Sequence, residues 1–188
     1  MKKIKLIYRK TKSTFQKWYR LLNVKKSILF IWKELFSIRI KTGWIFGPFD
    51  TDRPIECCFT YDKEKAIHFY YNLTPNRLNF TGVVLSSFKK EHTNDLLVLA
   101  SHFNSFSNLG VVKVNLENNY VEMEYDGETF NYSIFPGEID SDMTAHYEMV
   151  RDCFWSYDNL LETGEDPKFV ISELMKRREE NSKKRKLS

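Results

Sequence analysis

Residues 94–134 read NDLLVLASHFNSFSNLGVVKVNLENNYVEMEYDGETFNYSI, and the hydrophobic period changes within this stretch. Its first third places apolar residues three and four positions apart, which predicts an α-helix with one buried face. That face holds Leu96, Leu99, Ala100, Phe103 and Phe106. After Gly110 the period falls to two, as in half-buried strands. Asp126 and Gly127 form a dipeptide typical of hairpins, so the pattern predicts three antiparallel strands, the last over residues 130–134.

The flanking sequence repeats both periods. Alternation over residues 55–61, 67–71 and 78–84 predicts three earlier strands joined by tight turns. After Pro136 the helical period returns, and it predicts a long helix from about residue 140 to residue 163. A shorter helix is predicted over residues 167–176.

The order of these elements is α-βββ-α-βββ-α-α, which predicts an α+β fold. In it, a curved antiparallel sheet made of two three-stranded meanders packs against helices. Tight turns within each group of strands exclude a doubly wound parallel sheet, which needs long crossover connections. We expect three regions: a basic amphipathic helical segment (1–41), a single α+β domain (42–175) and a basic, disordered tail (176–188).

Charge is partitioned along the chain in a way that the net charge of +4 hides. Residues 1–41 contain 13 Lys or Arg and 1 acid, a net charge of +12. Residues 42–175 contain 9 bases and 22 acids, a net charge of −13, and residues 176–188 contain 7 bases and 2 acids, a net charge of +5. An acidic centre between two basic ends indicates electrostatic contact within the chain, between copies of it, or with an anionic partner.

The basic N-terminal segment carries the candidate binding residues. They lie near one helical stripe and comprise Phe15, Trp18, Leu22, Leu29, Trp32 and Phe36. Asn23 and the two lysines after it interrupt the stripe, which leaves one bent helix and two short helices as alternatives. The stripe could pack on the domain's own sheet or on a second subunit, lie on an anionic membrane surface, or contact nucleic acid, the least favoured of the three.

Residues with catalytic or metal-binding chemistry are scattered. The four histidines, His68, His92, His102 and His146, show no metal spacing and are predicted to lie at the surface or its boundary. No serine lies in a nucleophile-elbow motif, and no glycine-rich phosphate loop is present. We therefore predict no catalytic, metal or cofactor site. The three cysteines form no disulfide framework, and no apolar run reaches the ~18 residues of a membrane span. These features are typical of a cytoplasmic protein with reduced thiols.

The segment from Ile55 to about Leu174 resembles the bacterial YbjN family, whose fold is similar to that of type III secretion chaperones. The residues that carry the resemblance are LASHFNSFSNLG (residues 99–110) and VVKVNLENNYVEMEYD (residues 111–126). The order of helices and strands on either side agrees as well. The resemblance implies a small cytoplasmic α+β protein, often dimeric, that binds another protein. It implies no catalytic residues.

The sequence leaves three functions open. The first is a non-enzymatic protein-binding module with a chaperone or adaptor role, which we expect to form a homodimer. The second is a peripheral protein at the inner face of the membrane, anchored by the basic amphipathic segment. The third is an enzyme with an unrecognised cleft. We favour the first, because exposed apolar patches on a rigid sheet and helix would suit a partner segment.

Overall fold

Five of the six predicted strands form one antiparallel sheet. The structure is a computed structural model that describes residues 14, 18–19, 22–42, 54–61 and 65–187. The strands are β1 (Ile55–Thr60), β2 (Ala66–Leu73), β3 (Arg77–Leu85), β4 (Val111–Asn115) and β5 (Tyr120–Glu128). They lie in the order β1-β2-β3-β5-β4, and each neighbouring pair is antiparallel. The predicted α+β class is therefore confirmed.

Helices cover one face of the sheet, which we call the inner face. Those with described bounds are α1 (Val24–Thr42), α2 (Thr93–Phe106), α3 (Thr129–Ile134), α4 (Gly137–Thr163) and α5 (Pro167–Leu187). The long helix α4 packs on β3 and β5, α2 packs on α5 and β4, and α1 packs on α3 and α4. The predicted face of α2 is confirmed, since Leu96, Leu99, Ala100 and Phe103 are buried.

Alternating side chains of β2 and β3 build the core on the inner face. Phe69, Tyr71, Leu78 and Phe80 are fully buried. Helix α4 lies close to β3 at Gly82, where an added Cβ would lie 2.5 Å from both γ-methyl groups of Val150. A larger residue would push the helix off the sheet, so the glycine sets the distance between the two layers.

The sixth strand, predicted over residues 130–134, is wrong. β5 continues without a hairpin through Asp126 and Gly127 and pairs with β3 as far as Glu128, opposite Arg77. The chain then enters the short helix α3. Gly127 is needed for a reason other than a turn, because the hydroxyl and ring of Tyr132 occupy the space that a Cβ would fill. The second group of strands is thus a two-stranded hairpin joined to the first meander, which makes a single five-stranded sheet.

The N-terminal segment breaks where the sequence indicated. Leu22 lies in a turn, and α1 begins after Asn23, whose Oδ1 accepts a hydrogen bond from the Lys26 backbone N–H at 3.2 Å. This is an N-cap interaction, and it favours a new helix at this point over one continuous bent helix. Residues 14, 18 and 19 are also helical.

The C-terminal segment differs from the predicted disordered tail. Helix α5 continues past Lys176 to Leu187. Buried Val170 and Leu174 dock its first half, and Arg178 Nε donates to Asp152 Oδ2 of α4 at 2.7 Å in the second. The two residues of this ion pair are 26 positions apart in the chain. The prediction of disorder used only the local composition of the tail, which gives no information about such a distant contact.

Candidate protein-binding surface

The six predicted binding residues fall into two groups. Trp18, Leu22 and Leu29 are exposed by 63%, 83% and 46%, whereas Trp32 is exposed by only 1% and belongs to the core. Phe36 is half-buried, and Phe15 lies outside the described residues. The stripe is therefore divided: its later part holds α1 against the domain, and its earlier part remains available for contact.

The exposed part leads into a cleft of about 370 Å³ between the start of α1 and α3, which we call the α1–α3 cleft. Its rim is apolar, because Val24 and Phe130 line it and are exposed by 51% and 58%. Its polar lining comes from Ser27, Arg77 and Glu128, among others. Large exposed apolar side chains grouped at a concave part of the surface mark a place where a partner protein can bind.

Hydrogen bonds to the turn between β2 and β3 hold α3 in place. Thr129 Oγ1 donates to the Pro75 carbonyl at 2.7 Å, and the Thr129 backbone N–H donates to the Asn76 carbonyl at 3.1 Å. One turn later, Ser133 Oγ donates to the Thr129 carbonyl at 2.9 Å. Thr129 and Ser133 are buried, so α3 is anchored by its polar face and presents Phe130 outward. Reading 130–134 as a strand concealed this residue, which sequence reasoning did not propose as a site.

An acidic row begins at the α1–α3 cleft and follows β5 along the outer face of the sheet. It consists of Glu122, Glu124, Asp126 and Glu128, which alternate with inward residues. Lys113 of β4 pairs with Glu124, and Arg77 of β3 pairs with Asp126 at 3.1 Å. Four carboxylates therefore face two cations. Partial burial, followed by the nearby Glu124 charge, raises the pKa of Glu122, as expected where negative charge is in excess.

One histidine departs from the prediction. His146 is fully buried beneath the sheet, with Nε2 3.1 Å from the Met123 carbonyl oxygen. Burial lowers its pKa to about 4, so the ring is neutral at pH 7 and Nε2 donates the hydrogen bond. The signal was available in the sequence, since Met143, His146 and Val150 follow helical spacing.

Of the three cysteines, Cys58 is exposed, whereas Cys57 and Cys153 are buried. Cys58 Sγ is 4.0 Å from His68 Nε2 on the outer face, while Cys57 points inward and is buried, as the alternation predicted. Among the residues that the structure describes, no three His, Cys, Asp or Glu side chains are grouped as a metal site requires. Within the same residues, no helix has the length and hydropathy to cross a bilayer.

Comparison with known proteins finds similarity among solved structures. No protein-family model and no curated protein matches the sequence. Among solved structures, the chain matches the "crystal structure of YbjN, a putative transcription regulator from E. coli", with a TM-score of 0.43 and 11% identity. The match covers 63% of this chain and 86% of that one. This neighbour bears the name of the family that the sequence resembles, and at this identity it carries nothing about function.

Proposed function

We propose that this protein is a non-catalytic protein-binding module with a chaperone or adaptor role. One observation carries the proposal: the α1–α3 cleft has an apolar rim and opens directly onto the acidic row, because Glu128 belongs to both. Val24 and Phe130 supply exposed apolar area for an anchoring side chain. The excess of carboxylates supplies a field that attracts positive charge.

This arrangement defines the chemistry of the partner. It fits a protein segment in which an apolar side chain enters the α1–α3 cleft and neighbouring Lys or Arg residues lie along the acidic row. Burial of an aromatic or aliphatic anchor supplies most of the binding energy in such contacts, while surface charges contribute mainly to specificity and association rate. The homodimer and the cytoplasmic location predicted from the sequence stay predictions.

A selection from a displayed library of random peptides, with the full chain as bait, tests the proposal. We expect the enriched peptides to combine an apolar anchor with nearby Lys or Arg. The Val24→Ser/Phe130→Ser variant should bind these peptides at least ~10-fold more weakly, which corresponds to a loss of about 1.4 kcal/mol. Phe169→Ser is the matched control, since Phe169 on α5 is 46% exposed and does not line the cleft.

Two results would reject the proposal. One is a selection that enriches no peptide class, and the other is equal binding of the enriched peptides by wild type and by Val24→Ser/Phe130→Ser. If Val24→Ser/Phe130→Ser and the control Phe169→Ser lose binding to the same extent, the loss comes from a general decrease in exposed apolar surface. The assignment of binding to the α1–α3 cleft then fails as well.

A second candidate function is association with an anionic membrane surface. It is favoured by the exposure of Trp18 and Leu22, at 63% and 83%, within a segment of net charge +12. Because Trp32 is buried, such an anchor is limited to the residues before α1 and the exposed residues near its start, which include Leu29. Flotation with vesicles that contain anionic lipid should therefore be reduced in Trp18→Ser/Leu22→Ser and unchanged in Phe169→Ser. Equal flotation of all three chains would exclude this anchor.

A further inference from the structure

A second cleft, of about 610 Å³, lies between α4, α5 and the end of β1, and we call it the α4–α5 cleft. Its lining differs in charge from that of the α1–α3 cleft. It includes Tyr61, Tyr147, Arg151, Arg177, Asn181 and Lys184. Among the described residues that line it, three are cationic and none is acidic. Two of these cations, Arg177 and Lys184, belong to the basic end of the chain (176–188), and Arg151 comes from the acidic segment 42–175.

The helices bring these cations together. Arg177, Asn181 and Lys184 are spaced four and three residues apart and share one face of α5, opposite Arg151 on α4. Aromatic rings orient the two guanidinium groups: Arg177 Cζ lies 5.0 Å from the Trp155 ring centroid, and Arg151 Cζ lies 5.9 Å from that of Tyr147. Stacking on a ring leaves the N–H edges of a guanidinium free to donate.

Two carboxylates of α4 are bound to other cations. Asp152 accepts from Arg178 Nε at 2.7 Å, and Asp158 pairs with Lys65 Nζ at 2.7 Å. Glu148 lines a neighbouring cleft and is not part of this one. Within the described part of the chain, Arg151, Arg177 and Lys184 make no ion pair. No described carboxylate therefore neutralises these three side chains by direct contact.

We propose that the α4–α5 cleft binds a phosphate-bearing anion. Two arginines and a lysine on opposing walls can donate charge-assisted hydrogen bonds to phosphate oxygens from two sides. The Asn181 amide and the Tyr61 hydroxyl, which also line the cleft, can donate further bonds. The volume lies in the range of small-ligand sites, about 300–1,000 Å³, and accommodates more than one phosphate group. The inference is separate from the proposed protein-binding function, because it uses a different cleft and the opposite charge.

The test is titration calorimetry on the full chain with inorganic triphosphate, beside co-sedimentation with phosphatidylcholine vesicles that contain or lack phosphatidic acid. We expect one saturable site, weakened at least ~10-fold in Arg151→Gln/Arg177→Gln. Lys168→Gln/Lys176→Gln removes the same two charges from outside the cleft and should bind as wild type does. Lys184→Gln changes an exposed position and provides a second variant if the arginine pair does not fold.

Each outcome of the two arms decides the proposal. Cleft-dependent binding of triphosphate supports it and assigns a soluble ligand. Cleft-dependent binding of phosphatidic acid vesicles alone supports it and assigns a lipid headgroup. The proposal is overturned if neither probe binds, or if the control variant weakens binding as much as the cleft variants do.

Discussion

The two faces of the sheet are built from the same strands but have opposite surroundings. On the inner face of β3, Leu78 and Phe80 are completely buried under helices. On its outer face, Asn79 binds Asp126 of the acidic row at 3.0 Å through its side chain, and Thr81 remains partly accessible. The inner face is apolar and closely packed, so it determines the fold. The outer face is polar and open, so its residues can vary without loss of the core and are available for binding.

The largest expected effect concerns His146, a buried histidine on the inner side. The pKa of His146 is about 4 in the folded protein and about 6.5 in the unfolded chain, so only the unfolded chain takes up the proton between these values. The free energy of unfolding should therefore fall by about 3 kcal/mol as the pH decreases from 6.5 to 4. In His146→Gln, where the amide can still donate to the Met123 carbonyl, this part of the pH dependence should be absent.

Denaturant unfolding at a series of pH values measures the difference. His68→Gln is the control, because it removes a histidine from the outer face and should keep the wild-type slope. If His146→Gln and His68→Gln show the same dependence of the free energy of unfolding on pH, the two faces do not differ in how they affect histidine protonation.

An intermediate effect is expected where α4 lies close to the sheet. Gly82→Ala would place a methyl group 2.5 Å from the Val150 side chain, and overpacking of this kind costs about 2 kcal/mol. Thr81→Ala, one residue away on the outer face, should change the free energy of unfolding by less than about 1 kcal/mol. Thermal or denaturant unfolding of both variants measures these two changes in the free energy of unfolding. Comparable losses would show that the outer face also contributes to close packing.

The elements that follow one period over many residues could be predicted from the sequence. The faces of α2, β2 and β3 are correct because burial on one side imposes alternation or helical spacing that local sequence records. Residues 130–134 are the contrary case, since Phe130, Tyr132 and Ile134 alternate as in a strand. The buried positions of that helix are Thr129, Tyr132 and Ser133. Gly127 allows close contact with Tyr132, and nothing in the local sequence distinguishes this role from a turn.

The candidate surfaces were only partly predictable, because each depends on contacts between distant segments. The stripe in the N-terminal sequence included Leu22, which is exposed. It could not show that Val24 and Phe130 line the same cleft, because these two residues are far apart in the chain. Composition likewise described the end of the chain as a basic tail. It could not show that Arg177 would face Arg151 across a groove, since that placement requires the packing of α5 on α4.

The smallest expected effect lies on the outer face and has the opposite sign. The pKa of Glu122 is raised in the folded protein, mainly by burial and then by Glu124. The folded state therefore holds this proton at pH values where the unfolded chain has lost it, and stability decreases as the pH rises upward from about 4.5. At pH 7, Glu122→Gln should increase the free energy of unfolding by about 0.5 kcal/mol, a value reduced for partial exposure to solvent.

At pH 4 and below, the gain should disappear because wild-type Glu122 is then protonated. Glu117→Gln, in the exposed turn between β4 and β5, should change stability at neither pH. A loss of stability in Glu122→Gln at pH 7 would contradict the excess of negative charge on the acidic row. A gain in stability together with weaker binding of the selected basic peptides would show that this carboxylate is retained for recognition at a cost to the fold.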